Sequence, residues 1–154
     1  MVTDKHYAAL DQVLELAVLI NDDMTRSLAQ DGLTVSRTHL LWELRRRGPS
    51  TQRDLADALK VSARTVTGLV DGLEATGFVT RQPHPTDRRA TLVTFTERGV
   101  RTVEEMERGQ QEFARLLFAE MPEERLDCFS EALGEILIRL REASRLTDPR
   151  GGDQ

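Results

Sequence analysis

Arginine placement says most about what this chain could do. Arg88 and Arg89 stand side by side in the stretch Pro-His-Pro-Thr-Asp-Arg-Arg, where Pro83 and Pro85 forbid helix. A guanidinium is a permanently charged planar fork, and on a short loop it can enter a narrow, electronegative minor groove. Arg64 stands near the start of an amphipathic segment, where it can donate in bidentate fashion to a guanine edge. The methyl groups of Thr65 and Thr67 can meet thymine methyls from the same face. Thr51, Gln52, Arg53 and Ser62 occupy helix starts, where hydroxyls and free backbone N–H groups suit phosphates. Double-stranded DNA is the partner these residue types share. The acidic Asp87 cannot favour DNA by its charge, and its expected job is to pair with an arginine and fix the loop. His84 reads as a turn residue that could touch a phosphate.

Catalytic chemistry finds much less support. His6, His39, His84 and the single Cys128 lie far apart, and no glycine-rich phosphate loop, metal-ligand spacing or nucleophile motif appears. No enzyme activity, cofactor or metal is therefore expected. One cysteine cannot form an internal disulfide, and its place in a late helix reads as a structural thiol.

The elements that must hold these residues follow from periodicity. Residues from about 4 to 28 read as a long first helix, with Leu10, Val13, Leu14, Ala17, Val18 and Met24 at helical spacing. Asp31-Gly32 breaks it. A second helix opens at Leu33-Thr34, with Thr34 as N-cap and Leu40, Leu41 and Leu44 as its buried stripe. Arg45-Arg46-Arg47 closes that helix before Gly48-Pro49, and the triplet reads as favourable charge at a helix C-terminus rather than as a DNA contact.

Thr51 and Asp54 resemble a capping box at the head of a third helix, whose apolar face is Leu55, Ala56 and Leu59. Lys60-Val61-Ser62 is the turn. Ser62 caps a fourth helix in which Val66, Leu69, Val70 and Leu73 face the core, and Gly77 ends it. Arg64, Thr65, Thr67, Gly68 and Asp71 then face outward. Residues 78–82 and 90–96 are rich in β-formers and predict a hairpin with a seven-residue tip. Val100, Val103, Met106, Phe113 and Leu117 form a fifth helix. After Met121-Pro122, the residues Leu126, Phe129, Leu133, Ile136, Leu137 and Leu140 form a sixth.

The chain of 154 residues has a net charge of −5, with 39% hydrophobic and 31% charged residues, ordinary for a soluble protein. That average hides an asymmetry. From Arg45 to Arg101 there are 11 Lys and Arg against 6 Asp and Glu, an excess of +5, while the remainder carries −10. The basic excess coincides with the segment that would touch DNA. No run approaches 18 apolar residues and the amino terminus has no basic-then-apolar pattern, so a cytoplasmic location and no membrane contact are expected.

The expected fold is mainly α with a small β-hairpin wing (α+β). It is a winged helix-turn-helix carried on a helical dimerisation region. Residues 1–154 form one domain in this reading. About 33–99 are the DNA-binding lobe, about 4–30 and 100–146 the dimerisation helices, and 147–154 a disordered tail. The first helix and the last two carry more apolar surface than a compact winged-helix core absorbs, so pairing with a second copy is the economical solution.

From about Asp4 to Leu146 the sequence resembles the MarR family of bacterial transcription regulators. The residues that carry the resemblance are Leu33-Thr34, Gln52-x-x-Leu55-Ala56, Ser62-x-x-x-Val66-Thr67 and Leu73-Glu74-x-x-Gly77-Phe78-Val79-x-Arg81, then Asp87-Arg88-Arg89-Ala90 and Thr96-Glu97-x-Gly99. The resemblance implies a homodimer joined by the first and last helices, with Arg89 matching the family's wing arginine. It also implies a repressor of transcription released by a small, often aromatic, ligand. Its operator would be a pseudo-palindrome with half-site centres about one helical turn apart. Gly68 and Gly72 depart from the pattern, since many members carry a basic or larger residue there. Each glycine costs roughly 1 kcal/mol of helix propensity relative to alanine.

For the ligand, Arg26, His39 and Trp42 are the residues nominated, near the family's cleft between dimer helices and DNA-binding lobe. No cysteine lies near the amino terminus, which argues against peroxide sensing through a thiol. The competing reading is a winged-helix module for protein–protein contact without DNA readout. It expects Arg64 and the basic wing to be dispensable.

Overall fold

The computed structural model describes residues 1–147, the side chains of 145–147 excepted. The expected disordered tail therefore lies almost wholly outside the described residues. Two compact units divide the chain, Met1–Met106 and the part from Glu107 onward.

In the first unit, α1 spans Asp4–Gln30 and α2 spans Val35–Arg47. Thr34 caps α2 through its side chain, accepting from the Arg37 N–H at 3.3 Å. Three basic residues fill the last turn of α2, where they oppose the negative end of the helix dipole. Arg46 and Arg47 also donate to Glu43 at 3.0 and 3.1 Å.

After the Gly48-Pro49 stop, Ser50–Thr51 form a short strand, β1. This strand was not expected from sequence, which predicted a hairpin alone. It pairs antiparallel with β3 (Thr91–Phe95), placing Ser50 against Val93 and Thr51 against Leu92. The sheet is thus three-stranded, in the order β1-β3-β2, with β2 at Val79–Pro83. Two residues are too few for any alternation to announce a strand; β1 exists because β3 offers it a ladder.

The helix-turn-helix is α3, Gln52–Leu59, and α4, Ala63–Ala75. Lys60 takes a left-handed conformation (φ 54°) at the end of α3, which turns the chain sharply into α4. Leu55 and Ala56 of α3 and Val66, Val70 and Leu73 of α4 are buried. They share one core with Leu40, Leu41 and Leu44 of α2, Phe78, Val79, Val93 and Val103. That core fixes α3, α4 and the hairpin as one body.

The helix α5, Glu97–Phe118, begins in the first unit. In the second unit α6 spans Glu123–Thr147, and Phe118 packs on Phe129 with ring centroids 5.9 Å apart. Among the described residues no helix is long and apolar enough to cross a membrane.

Candidate nucleic-acid interface

Caps build the start of each helix of the motif. The Thr51 hydroxyl accepts from the Asp54 N–H at 3.1 Å, and the Asp54 carboxylate accepts from the Thr51 N–H at 3.4 Å. This is the capping box expected from sequence. Ser62 accepts from the Thr65 N–H at 3.1 Å, and the two hydroxyls lie 2.8 Å apart. Thr67 donates to the Ala63 carbonyl at 3.0 Å and accepts from the Gln52 amide at 2.9 Å. The polar groups of Thr51, Gln52, Ser62, Thr65 and Thr67 are thus engaged within the protein, although Ser62, Thr65 and Thr67 stay exposed.

The cations divide differently. Arg53, Arg64, Arg88 and Arg89 are exposed, and none of the four guanidinium groups has a hydrogen-bond or ion-pair partner among the described residues. Arg53 lies on α3, Arg64 on the first turn of α4, and the other two at the hairpin tip. An arginine with no partner inside the protein has all five N–H donors available to a phosphate or a base.

The tip is held by its own polar groups. His84 Nδ1 accepts from the N–H of Thr86 at 3.2 Å and of Asp87 at 3.1 Å. The carboxylate of Asp87 accepts from the main-chain N–H of Arg89 at 2.9 Å. Here the structure corrects the expectation that Asp87 would pair with an arginine side chain. A carboxylate two residues before an amide closes a local turn onto that amide, which leaves the guanidinium unengaged.

Sequence reasoning assigned no role to Arg81, and the structure gives it a central one. From β2 it donates to Gln52 Oε1 through Nε (3.1 Å) and Nη2 (3.0 Å), to Asp71 through Nη2 (2.5 Å), and to Glu74 through Nη1. Burial opposes its charge, but the hydrogen bonds to Asp71 and Glu74 outweigh that and raise its pKa above the ordinary arginine value. A signal was available in the sequence. Two carboxylates, Asp71 and Glu74, stand three residues apart on a helix proposed to meet DNA, and such a pair calls for a nearby cation.

The two unusual glycines differ in surroundings. A Cβ at Gly68 would meet nothing within 4 Å, whereas one at Gly72 would lie 2.3 Å from the guanidinium of Arg37. Gly72 is the position at which Arg37 of α2 lies against α4.

The nominated ligand residues do not meet in one cavity. His39 lines an apolar groove of about 340 Å³ between α1 and α2, with Val13, Ile20, Met24 and Val35. Arg26 borders an adjacent hollow with Asp22 and Thr25, and Trp42 packs against the core. Asn21 borders both hollows.

Residues 33–91 match the MarR family. An uncharacterised HTH-type transcriptional regulator of Bacillus subtilis, YwoH, is 32% identical over 121 residues, covering 79% of this chain and 88% of its own length. The transcriptional repressor YetL, also of Bacillus subtilis, is 32% identical over 87 residues, 56% of this chain and 52% of its own. The crystal structure of AbsC, a MarR family transcriptional regulator from Streptomyces coelicolor, superposes with a TM-score of 0.73 at 25% identity. It covers 92% of this chain and 98% of AbsC. With its winged helix-turn-helix, this chain belongs to the MarR family, whose members are transcription regulators and not enzymes.

Proposed function

We propose that this protein is a homodimeric repressor that reads a pseudo-palindromic duplex with α4 in the major groove and the wing beside it, and that a small aromatic ligand releases it. The observation that carries the reading is the set of four exposed arginines on the helix-turn-helix and wing, Arg53, Arg64, Arg88 and Arg89, whose guanidinium groups have no partner among the described residues. Arg64 and the exposed face of α4 read bases, Arg88 and Arg89 enter the minor groove, and Arg53 with the capped helix starts meets phosphates. This role places the protein with the chromosome, in the cytoplasm. Repression is the role named for YetL, of whose length this chain covers 52%.

Two further features support the reading. Tyr7, Leu10, Leu14, Val18 and Leu19 are exposed along α1, as are Leu137, Ile138 and Leu140 on α6. Apolar surface of this extent is what a second copy would cover. The α1–α2 groove has apolar walls with His39 and Asn21 as polar groups, and its volume suits a small aromatic molecule. Release requires that such a ligand bind the DNA-incompetent state more tightly.

The test is selection of bound duplexes from a random double-stranded pool at about 150 mM salt, near physiological ionic strength. The expected product is an inverted repeat with half-site centres about one helical turn apart. A dimeric protein that enriches no sequence would overturn the reading in favour of a protein-contact module.

A further inference from the structure

Arg81 joins three elements through one polar cluster. From β2 it holds Gln52 of α3 and Asp71 and Glu74 of α4, while Gln52 in turn donates to Thr67 of α4 at 2.9 Å. The circuit runs from strand to supporting helix to recognition helix and back. Arg81 pairs across the hairpin with Val93, which is fully buried, so the stem of the wing is fixed at the same residue.

Asp71 lies on the outward stripe of α4, seven residues after Arg64 and thus nearly two turns further along the same face. Its side chain is 61% exposed, and that of Glu74 is 39% exposed. Left alone, two carboxylates on this face oppose a polyanion. Four of the five N–H groups of Arg81 are committed to Gln52, Asp71 and Glu74, and the side chain is only 25% exposed. Little remains of Arg81 for a phosphate.

We infer that Arg81 is a positioning residue for DNA binding. It acts through Asp71 and Glu74, whose charge it neutralises on the recognition helix, and it is not itself a contact to DNA. This rests on the DNA-binding reading above. Its distinctive consequence is that the carboxylates, and not the lost guanidinium, cause the defect when Arg81 is removed.

The experiment measures affinity of the full chain for the selected duplex across a salt series. Four proteins are compared: wild type, Arg81→Gln, Asp71→Asn/Glu74→Gln, and the triple variant combining all three changes. Arg81→Gln is expected to weaken binding about tenfold, the scale of a lost charge-assisted pair. The slope of log affinity against log salt should stay at the wild-type value, because no phosphate contact is lost. The triple variant should recover to within about threefold of wild type, and Asp71→Asn/Glu74→Gln should bind more tightly than wild type.

Undiminished binding by Arg81→Gln would overturn the inference. So would a defect that persists in the triple variant, and a salt slope reduced by about one would identify Arg81 as a phosphate contact. Should Arg81→Gln fail to fold, Asp71→Asn/Glu74→Gln decides alone. Weaker binding, or a changed preference at one base, would make Asp71 a reader of cytosine amino groups and sink the inference. Wild-type protein that binds no duplex refutes the DNA reading itself, a failure distinct from all of these.

Discussion

Gly99 in the first turn of α5 backs directly onto the main chain of Phe78: a Cβ there would stand 1.9 Å from the Phe78 carbonyl oxygen. The contact belongs to a small junction. The Thr96 hydroxyl accepts from the Gly99 N–H at 3.0 Å and donates to the Gly77 carbonyl at 2.6 Å. Arg98 donates to the Thr76 carbonyl at 2.6 Å and lies over the Phe78 ring, 4.4 Å from its centroid. The Thr-x-x-Gly motif thus joins the start of α5 to the chain between α4 and β2.

Gly99→Ala is expected to destabilise the protein. Helix propensity alone would favour alanine by roughly 1 kcal/mol. The obstructing atoms are backbone, however, with Phe95 a further 2.9 Å contact, and overpacking typically costs about 1–3 kcal/mol. The clash is severe enough to decide the sign. Urea unfolding should show a lower midpoint, and an unchanged or higher one would mean that the junction yields freely.

Gly68→Ala should have the opposite effect. Open space surrounds that position, so alanine gains about 0.5–1 kcal/mol by restricting the unfolded chain and favouring helix. At Gly72 the obstruction is the far end of the Arg37 side chain, which can swing away at some loss of packing. The gain there should be smaller than at Gly68. Thermal midpoints of the two variants compare them directly, and a larger gain for Gly72→Ala would show that Arg37 contributes nothing by lying on α4.

Local signals were read from sequence and distant ones were not. The caps at Thr34, Thr51 and Ser62 are legible because a hydroxyl before an apolar period bonds an N–H three residues on, as it does in the structure. The stripes of α2 and α4 follow from their 3.6-residue period, with Leu69 only partly buried at the edge. The strand at Ser50–Thr51 depends on β3, some 40 residues later, and Arg81 depends on Gln52 at a separation of 29 residues. No window of sequence contains those pairs. The error at Asp87 is of another kind. The Asp87 carboxylate meets a main-chain amide and not the expected guanidinium, and since every residue but proline carries such an amide, the pairing leaves no mark in the sequence.

Arg89→Ala and Arg64→Ala should separate the two modes of DNA contact. Neither guanidinium has a partner among the described residues, so neither change should alter stability by more than about 0.5 kcal/mol. Arg89→Ala should weaken operator binding by roughly 1–3 kcal/mol. Arg64→Ala should relax preference at one base position in each half-site. A uniform loss across all duplexes would make Arg64 a phosphate contact, and full affinity in Arg89→Ala would remove that residue from the mechanism.

His84 offers a test of wing order without touching a charge that meets DNA. Its Nδ1 accepts from the amides of Thr86 and Asp87, which requires the ring proton on Nε2. Beside it, the His84 N–H donates to the Ala90 carbonyl at 3.1 Å and the Ala90 N–H to the Asp87 carbonyl at 3.1 Å, so main-chain bonds close the rest of the tip. His84→Ala removes the one acceptor shared by two amides and should leave the hairpin stem intact. Hydrogen exchange at Thr86 and Asp87 should accelerate while that of Val79 and Val93 does not change. Operator affinity should fall several-fold, since a net hydrogen bond is worth about 1 kcal/mol and a loosened tip must be ordered on binding. His84→Asn, whose side-chain oxygen can accept from the same amides, should recover part of the loss. If exchange accelerates in His84→Ala and affinity does not change, the order of the wing tip plays no part in binding, and the arginines act from a flexible loop.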